Sequence, residues 1–252
     1  MSNNWKWPGD AEAAISLSYD DGRGSHLDHV VPDLDRAGFR GTFYLTINSA
    51  INVTTRVREW QDVFERGHEI GNHTMNHPCS NDSDANLKDY TPSMIQAEVR
   101  DAAMWLDQNI GRDEYRTFAY PCGELGIGDQ EKNTYDGDAY ANAVQAYHFA
   151  ARLANGSLND PAVVAQNPLR IGAIGIYGED IKPCLNHFRQ TIAIKGWAVL
   201  FLHDVGTSSQ HGISRNFHRE ILQHLQGKEY WVAPVKEVAK YIVDSLQASR
   251  AR

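Results

Sequence analysis

The chain has 252 residues, 42% of them apolar, with a formal charge of −8 and a pI near 5.7. That length suits one large α/β domain, and the acidic balance argues against a polyanion such as nucleic acid as the main partner. No apolar run reaches the roughly eighteen residues that a membrane-spanning helix needs.

The opening Met-Ser-Asn-Asn-Trp-Lys-Trp-Pro has no apolar signal core, which points to a cytoplasmic protein, or to a secreted one whose leader has been removed. Cys79, Cys122 and Cys184 are odd in number and lack CxxC spacing. They read as a sign of a reducing compartment or as incidental thiols, and argue against a cysteine zinc site. The six Trp and eleven Tyr suit either packing or platforms for sugar rings.

The alternating segment Ala13 to Tyr19 predicts a first strand, ended by Asp20-Asp21-Gly22. His26 to Ala37 has helical spacing, with Pro32 in its first turns and Gly38 closing it. Gly41 to Thr46 reads as a strand, Arg58 to Arg66 as a short helix, and His68 to His73 as a third strand. Asn81 to Pro92 is polar and loop-like. Ser93 to Ile110 is the clearest amphipathic helix. A strand at Thr117–Tyr120 leads into the turn Pro121-Cys122-Gly123. A helix at Ala139–Val144 and a strand at Ala146–Ala151 follow. Asn155 to Asn167 reads as a loop, Leu169 to Gly172 as a short strand, and Ile181 to Ile194 as a helix. The apolar run Trp197–Leu202 is a buried strand ending in His203-Asp204. A helix at Phe217–Leu225, a strand at Trp231–Ala233 and a helix at Val235–Leu246 complete the chain. Strands and helices alternate about seven times, which implies a parallel sheet with helices outside it. Neither a linker nor an internal repeat interrupts the pattern, so residues 1–252 read as a single domain. Polar residues gather at four strand ends, the positions that form the active face of such barrels.

At a strand end broken by Gly22, Asp20 and Asp21 can both turn toward one site, and two carboxylates so close call for a cation beside them. An Asp-Gly turn or a helix cap is the plain alternative. His73 and His77 lie four apart, a spacing that puts both imidazoles on one side of a helical turn. One Asp with two His is a plausible zinc set that leaves a position for water and a spare Asp as base. His203 can act as a general acid, or be merely a solvated strand-end imidazole. Pro121-Cys122-Gly123 is by itself only a turn, whose backbone N–H could face a developing oxyanion.

Taken in order, these segments resemble the NodB-like polysaccharide deacetylases, carbohydrate esterase family 4, from about Ala13 to Ile242. Ser18-Tyr19-Asp20-Asp21-Gly22 is similar to the family's Thr-Phe-Asp-Asp-Gly. His73-Thr74-Met75-Asn76-His77 matches His-(Ser/Thr)-x-x-His, and Phe201-Leu202-His203-Asp204 resembles the final Leu-x-His motif. The resemblance implies a distorted (β/α)7 barrel that hydrolyses acetyl groups from sugars, commonly at N-acetylglucosamine. It implies Asp20 as general base, Asp21, His73 and His77 as ligands of Zn²⁺ (Co²⁺ or Ni²⁺ also fitting these donors), the Cys122 N–H in the oxyanion hole and His203 as general acid. The partner it implies is an acetylated oligo- or polysaccharide. Two departures stand out. The family's third-motif Arg, which orients the base, is replaced by Ala119, with Arg170 as a substitute chosen from strand order. The Asp that tunes the final His has no visible counterpart. Trp197 is the candidate wall for the acetyl methyl, and Tyr120 a further substrate contact. The rival readings are an O-acetyl xylan esterase, a metal-free amidohydrolase on the same barrel, and a carbohydrate-binding relative without turnover.

Overall fold

A computed structural model describes residues 5–48, 51–80, 85–207, 209–227 and 229–250. Part of the polar stretch expected at 81–92, residues 81–84, lies outside the described residues.

The first strand, β1 (Ala13–Asp20), is wholly buried and lies at the centre of a parallel sheet. It pairs with β7 (Trp197–Leu202) on one side and with β2 (Thr42–Leu45) on the other. At its N-terminal end, β8 (Tyr230–Val232) pairs with Ala13–Ile15. Beyond β2 come β3 (Glu69–Asn72), β4 (Phe118–Ala119) and β5 (Ala151–Arg152); beyond β7 comes β6 (Ile174–Gly175). A parallel bridge from Arg152 to Ile171, just before β6, joins the two edges, so the sheet curls into a seven-stranded barrel with β8 as an addition. Every registered pair is parallel, as strands separated by crossover helices require.

Helices cover the outside: α1 (Val31–Ala37), α2 (Ile51–Thr55), α3 (Val57–Glu65), α4 (Pro92–Asn109), α5 (Ala139–Gln145), α6 (Pro161–Gln166), α7 (Ile181–Ala193), α8 (Arg215–His224) and α9 (Val235–Arg250). A π-helical turn, His26–Val30, runs into α1, which Gly38 ends at a φ of 77°. Strand parity sorts the core. Ile15, Leu17 and Tyr19 face the helices in one apolar cluster, whereas Ala14 packs with Trp197, Val199 and Phe201 against α9. The same two-residue period carries the even positions of β1 inward to Asp20, and the odd positions of β7 inward to His203.

Four local expectations fail. The segment 155–167 contains a helix, α6, because Asp160 accepts hydrogen bonds from the N–H groups of Ala162 and Val163 and Pro161 opens the first turn. Leu169–Gly172 is not a strand: Pro168–Arg170 forms a 3₁₀ turn, and the strand comes later, at Ile174. The strand expected over 146–151 shrinks to Ala151–Arg152, since the α5 end continues through a turn in which His148 N–H bonds Val144 O. Cys79 and Cys122 are not incidental thiols but a disulfide, leaving only Cys184 free. Among the described residues, no helix is long and apolar enough to cross a membrane.

Candidate active site

The C-terminal ends of β1, β3, β4, β5 and β7 bring their polar residues to one cavity of about 300 Å³. Asp20 is the last residue of β1. Asp21 and Gly22 then take left-handed conformations, with φ of 76° and 66°. Only glycine fits position 22: an added Cβ would lie 2.5 Å from Val53 Cγ2. This sharp turn re-aims Asp21, so that two successive carboxylates serve one site rather than opposite faces of the sheet.

His73 and His77 come together, though not on a helical turn as their spacing suggested. The chain after β3 is irregular, with Thr74 and His77 at positive φ. Side chains hold it there: Asn72 Oδ1 accepts from Thr74 N–H at 2.8 Å, and Thr74 Oγ1 accepts from His77 N–H at 2.9 Å. The buried carboxylate of Glu98, reaching in from α4, accepts from the N–H groups of Met75 and Asn76 and from the Asn76 side chain. These bonds occupy backbone donors that a helix would have used internally.

Asp21 Oδ1 lies 3.7 Å from Nε2 of both His73 and His77. Donors of a tetrahedral zinc site stand about 3.4 Å apart, so this group could close on a divalent ion with little movement. His73 Nδ1 lies 2.7 Å from Ala119 O; donating there leaves Nε2 as a lone-pair donor toward Asp21. Burial pushes the His73 imidazole down to about 4, which keeps it neutral, the form that ligates a metal. Burial alone would raise the Asp21 carboxyl, but His73, His77, His203 and Arg23 outweigh it and hold the group well below the usual carboxylate range. Arg23 takes the other Asp21 oxygen, Oδ2, at 2.8 Å, leaving Oδ1 to the imidazoles. It also reaches Asp204 Oδ2 at 3.4 Å.

Asp20 has a different environment. Its buried partner is Arg152, at the end of β5. The guanidinium carbon lies 4.9 Å from the ring centroids of both Tyr44 and Phe201, sandwiched between two aromatic faces. Burial raises the Asp20 carboxyl, and Arg152, His73 and His203 lower it further, so it stays ionised. Arg152 is the register partner of Ala119 across β4 and β5. A guanidinium thus reaches Asp20 from the strand next to Ala119, at the same height in the barrel. Arg170, the substitute expected from sequence, instead pairs with Asp138 on the surface. The available signal for Arg152 was a charged residue ending the apolar run Phe149-Ala150-Ala151, whose strand was read as stopping one residue short.

The structure also moves Trp197. It begins β7, at the barrel end opposite His203, fully buried with Nε1 donating to Ser16 Oγ at 3.0 Å. It fills the core beneath the site and does not line the cavity, whose aromatic faces come from Tyr120, Tyr177 and Phe201. His203 follows β7, its carbonyl accepting from His26 Nε2 at 2.8 Å. The Tyr177 ring stacks on it at 6.4 Å between centroids, and His211 stands 5.7 Å away. Among the described residues no carboxylate partners His203 Nδ1, which is buried and unbonded. Tyr120 Oη and Arg152 Nε are likewise buried without partners. Both residues line the same cavity, as does Cys122, whose φ of 54° puts it in a left-handed turn after β4.

A family model described as polysaccharide deacetylase matches residues 9–136, just over half of the chain. A putative polysaccharide deacetylase from Mycobacterium smegmatis superposes with a TM-score of 0.67 at 12% identity, over 96% of this chain and 94% of that one. The Xyl-CE4 domain of a multidomain xylanase from the hindgut metagenome of Trinervitermes trinervoides gives 0.59 at 18%, over 91% and 90%. A CE4 family pseudoenzyme from Bacillus anthracis gives 0.57 at 17%, over 90% and 65%. No curated protein sequence matches. The structural likenesses establish the shared barrel. It is the sequence match, over the half that carries Asp20, Asp21, His73 and His77, that makes the chain a member of the polysaccharide deacetylase family.

Proposed function

We propose that this protein is a metal-dependent hydrolase that removes acetyl groups from an N-acetylglucosamine-containing oligo- or polysaccharide. The observation that supports this most directly is the approach of Asp21 Oδ1 to both imidazole Nε2 atoms, with an ionised Asp20 next to it on Arg152. An oxygen and two nitrogens suit Zn²⁺, and Co²⁺ or Ni²⁺ would accept the same donors. Asp21, His73 and His77 would hold the ion, which when bound supplies a Lewis acid that polarises the acetyl carbonyl and acidifies water.

The chain's own residues account for the rest. Asp20, kept ionised by Arg152, takes the proton of the attacking water. The N–H of Cys122 faces the oxygen that becomes negative as the carbonyl carbon turns tetrahedral. His203 donates a proton to the departing nitrogen, which as an amide anion would be a very poor leaving group. Tyr120, Tyr177 and Phe201 shape the walls and limit water around the reacting carbonyl.

The deciding experiment measures free acetate from N-acetylated chitooligosaccharides and from O-acetylated xylan, using metal-stripped protein and the same protein with Zn²⁺ restored. Zinc-dependent release from the amide substrates is expected. Release from xylan alone would reassign the leaving atom to oxygen, and release unaffected by stripping would end the metal assignment.

A further inference from the structure

The disulfide joins two segments that both belong to the cavity. Cys79 lies two residues after His77, and Cys122 carries the N–H assigned above to the oxyanion. His77 and the two sulfurs lie together: one ligand atom from each falls within 4.8 Å of the others. His77 also belongs to the group formed with Asp21 and His73. We propose that reduction of Cys79–Cys122 opens a second metal site, made of both thiolates and His77, that competes with Asp21 and His73 for the same imidazole.

Three features support a site that survives reduction. The Cα atoms of the two cysteines are 6.0 Å apart, and the segments are tied independently of the sulfurs by Ser80 N–H donating to Glu124 Oε2 at 2.8 Å. Cys79 N–H is further anchored to Ala85 O at 3.0 Å. Two thiolates on one zinc ion stand about 3.8 Å apart, so the freed sulfurs need to separate by only about 2 Å. Cys122 is exposed and lines the cavity, giving a reductant access to that sulfur, whereas Cys79 is buried. Two sulfurs and one nitrogen form a softer set than one oxygen and two nitrogens, and bind borderline-soft ions such as Zn²⁺ and Co²⁺ well.

The redox step balances with a phosphine or a dithiol as reductant. With a phosphine, two electrons pass from phosphorus to the S–S bond, which breaks. Water supplies the oxygen of the phosphine oxide, and its two hydrogens end on the two sulfurs. With a dithiol, the reductant's own sulfurs pair as the protein's thiols form. Metal capture then releases the two thiol protons. Insofar as the deacetylase reading holds, an ion held this way removes one ligand from the hydrolytic set and pulls on the turn that carries the Cys122 N–H.

The test is Co²⁺ titration of the metal-stripped 252-residue chain, oxidised or reduced with a phosphine and desalted anaerobically. The readouts are the thiolate-to-cobalt charge-transfer absorption and the cobalt bound per chain. The oxidised protein should bind cobalt without that absorption, and the reduced protein with it, at one ion per chain because His77 is shared. The absorption should vanish in Cys79→Ser/Cys122→Ser, which retains Cys184. Affinity of the reduced protein should fall at least about tenfold in His77→Ala, while the absorption persists in His73→Ala. Absence of the band in reduced wild-type protein, two ions per chain, or indifference to His77→Ala would each overturn the proposal. None of these readouts requires acetate release, so this site and the deacetylase reading stand or fall separately.

Discussion

Asp20 and Asp21 are chemically identical neighbours with different partners. Asp20 ends a strand, points inward by parity and is held by Arg152 between two aromatic rings. Asp21 lies past the turn, with one oxygen on Arg23 and the other facing two imidazoles. Asp21→Ala should therefore lose bound metal, whereas Asp20→Asn should keep it and lose turnover; metal content of the two purified variants, set beside their rates, checks this. The reverse pattern would exchange the two roles. Arg152→Met should lower kcat by about a hundredfold or more with little change in KM, because it disturbs the base and not substrate affinity. The sign of the pH effect follows from the charge removed. Without the guanidinium, the buried Asp20 carboxyl rises, and the acidic limb of the rate profile should move to higher pH. A variant with wild-type kcat and an unmoved limb would show that Asp20 is oriented by something else.

Among the elements, the helices hold the loops that carry the site. Through Glu98, α4 shapes the chain between His73 and His77. On the opposite flank, α1 and α8 are joined by the buried Asp33, whose carboxylate accepts from Arg36, Arg215 and Arg219. Burial alone would raise that carboxyl, but the bonds from Arg215, Arg219 and Arg36 outweigh it and depress the group well below its ordinary value. A depressed carboxylate contributes stability that is present above its unfolded pKa of about 3.9 and lost as the pH falls through the folded value. Asp33→Asn should cost about 2 kcal/mol at pH 7 by denaturant unfolding, and the gap from wild type should narrow below about pH 4. A gap that is constant with pH would mean that the loss is steric and not electrostatic.

Across the whole molecule, two closures define the barrel top. Main-chain bonds from Ile171 N–H to Ala151 O and from Leu153 N–H to Ile171 O join the sheet edges, and the Cys79–Cys122 bond links the loop after β3 to the turn after β4 across 43 residues of chain. A cross-link of that span lowers the entropy of the unfolded chain, so Cys79→Ala/Cys122→Ala should lose about 2–4 kcal/mol and roughly 10 °C in Tm. Calorimetry of oxidised protein beside the double variant measures it. Identical transitions would mean that the two sulfurs are not joined in the native protein.

The alternation of strands and helices, the parallel sheet, and the positions of Asp20, Asp21, His73, His77, Cys122 and His203 at strand ends were legible in the sequence, whereas the short helices α2 and α6 were not. Apolar period and turn residues are local signals, and the motifs are short and contiguous. Arg152, Arg23 and the disulfide were not legible in that way. Each depends on contact between segments far apart in the chain or on which way a turn aims a side chain, and a parallel barrel places such partners by strand register. Ala119 and Arg152 are 33 positions apart in sequence yet are direct neighbours across β4 and β5. Register likewise sent Trp197 to the far end of its strand from His203, and left Arg170 on the surface with Asp138. The sequence by itself determined which residue types could do the chemistry and on which strand ends they lie. Tertiary structure alone decided which cation faces which carboxylate, because that choice is made by distance across the barrel and not along the chain.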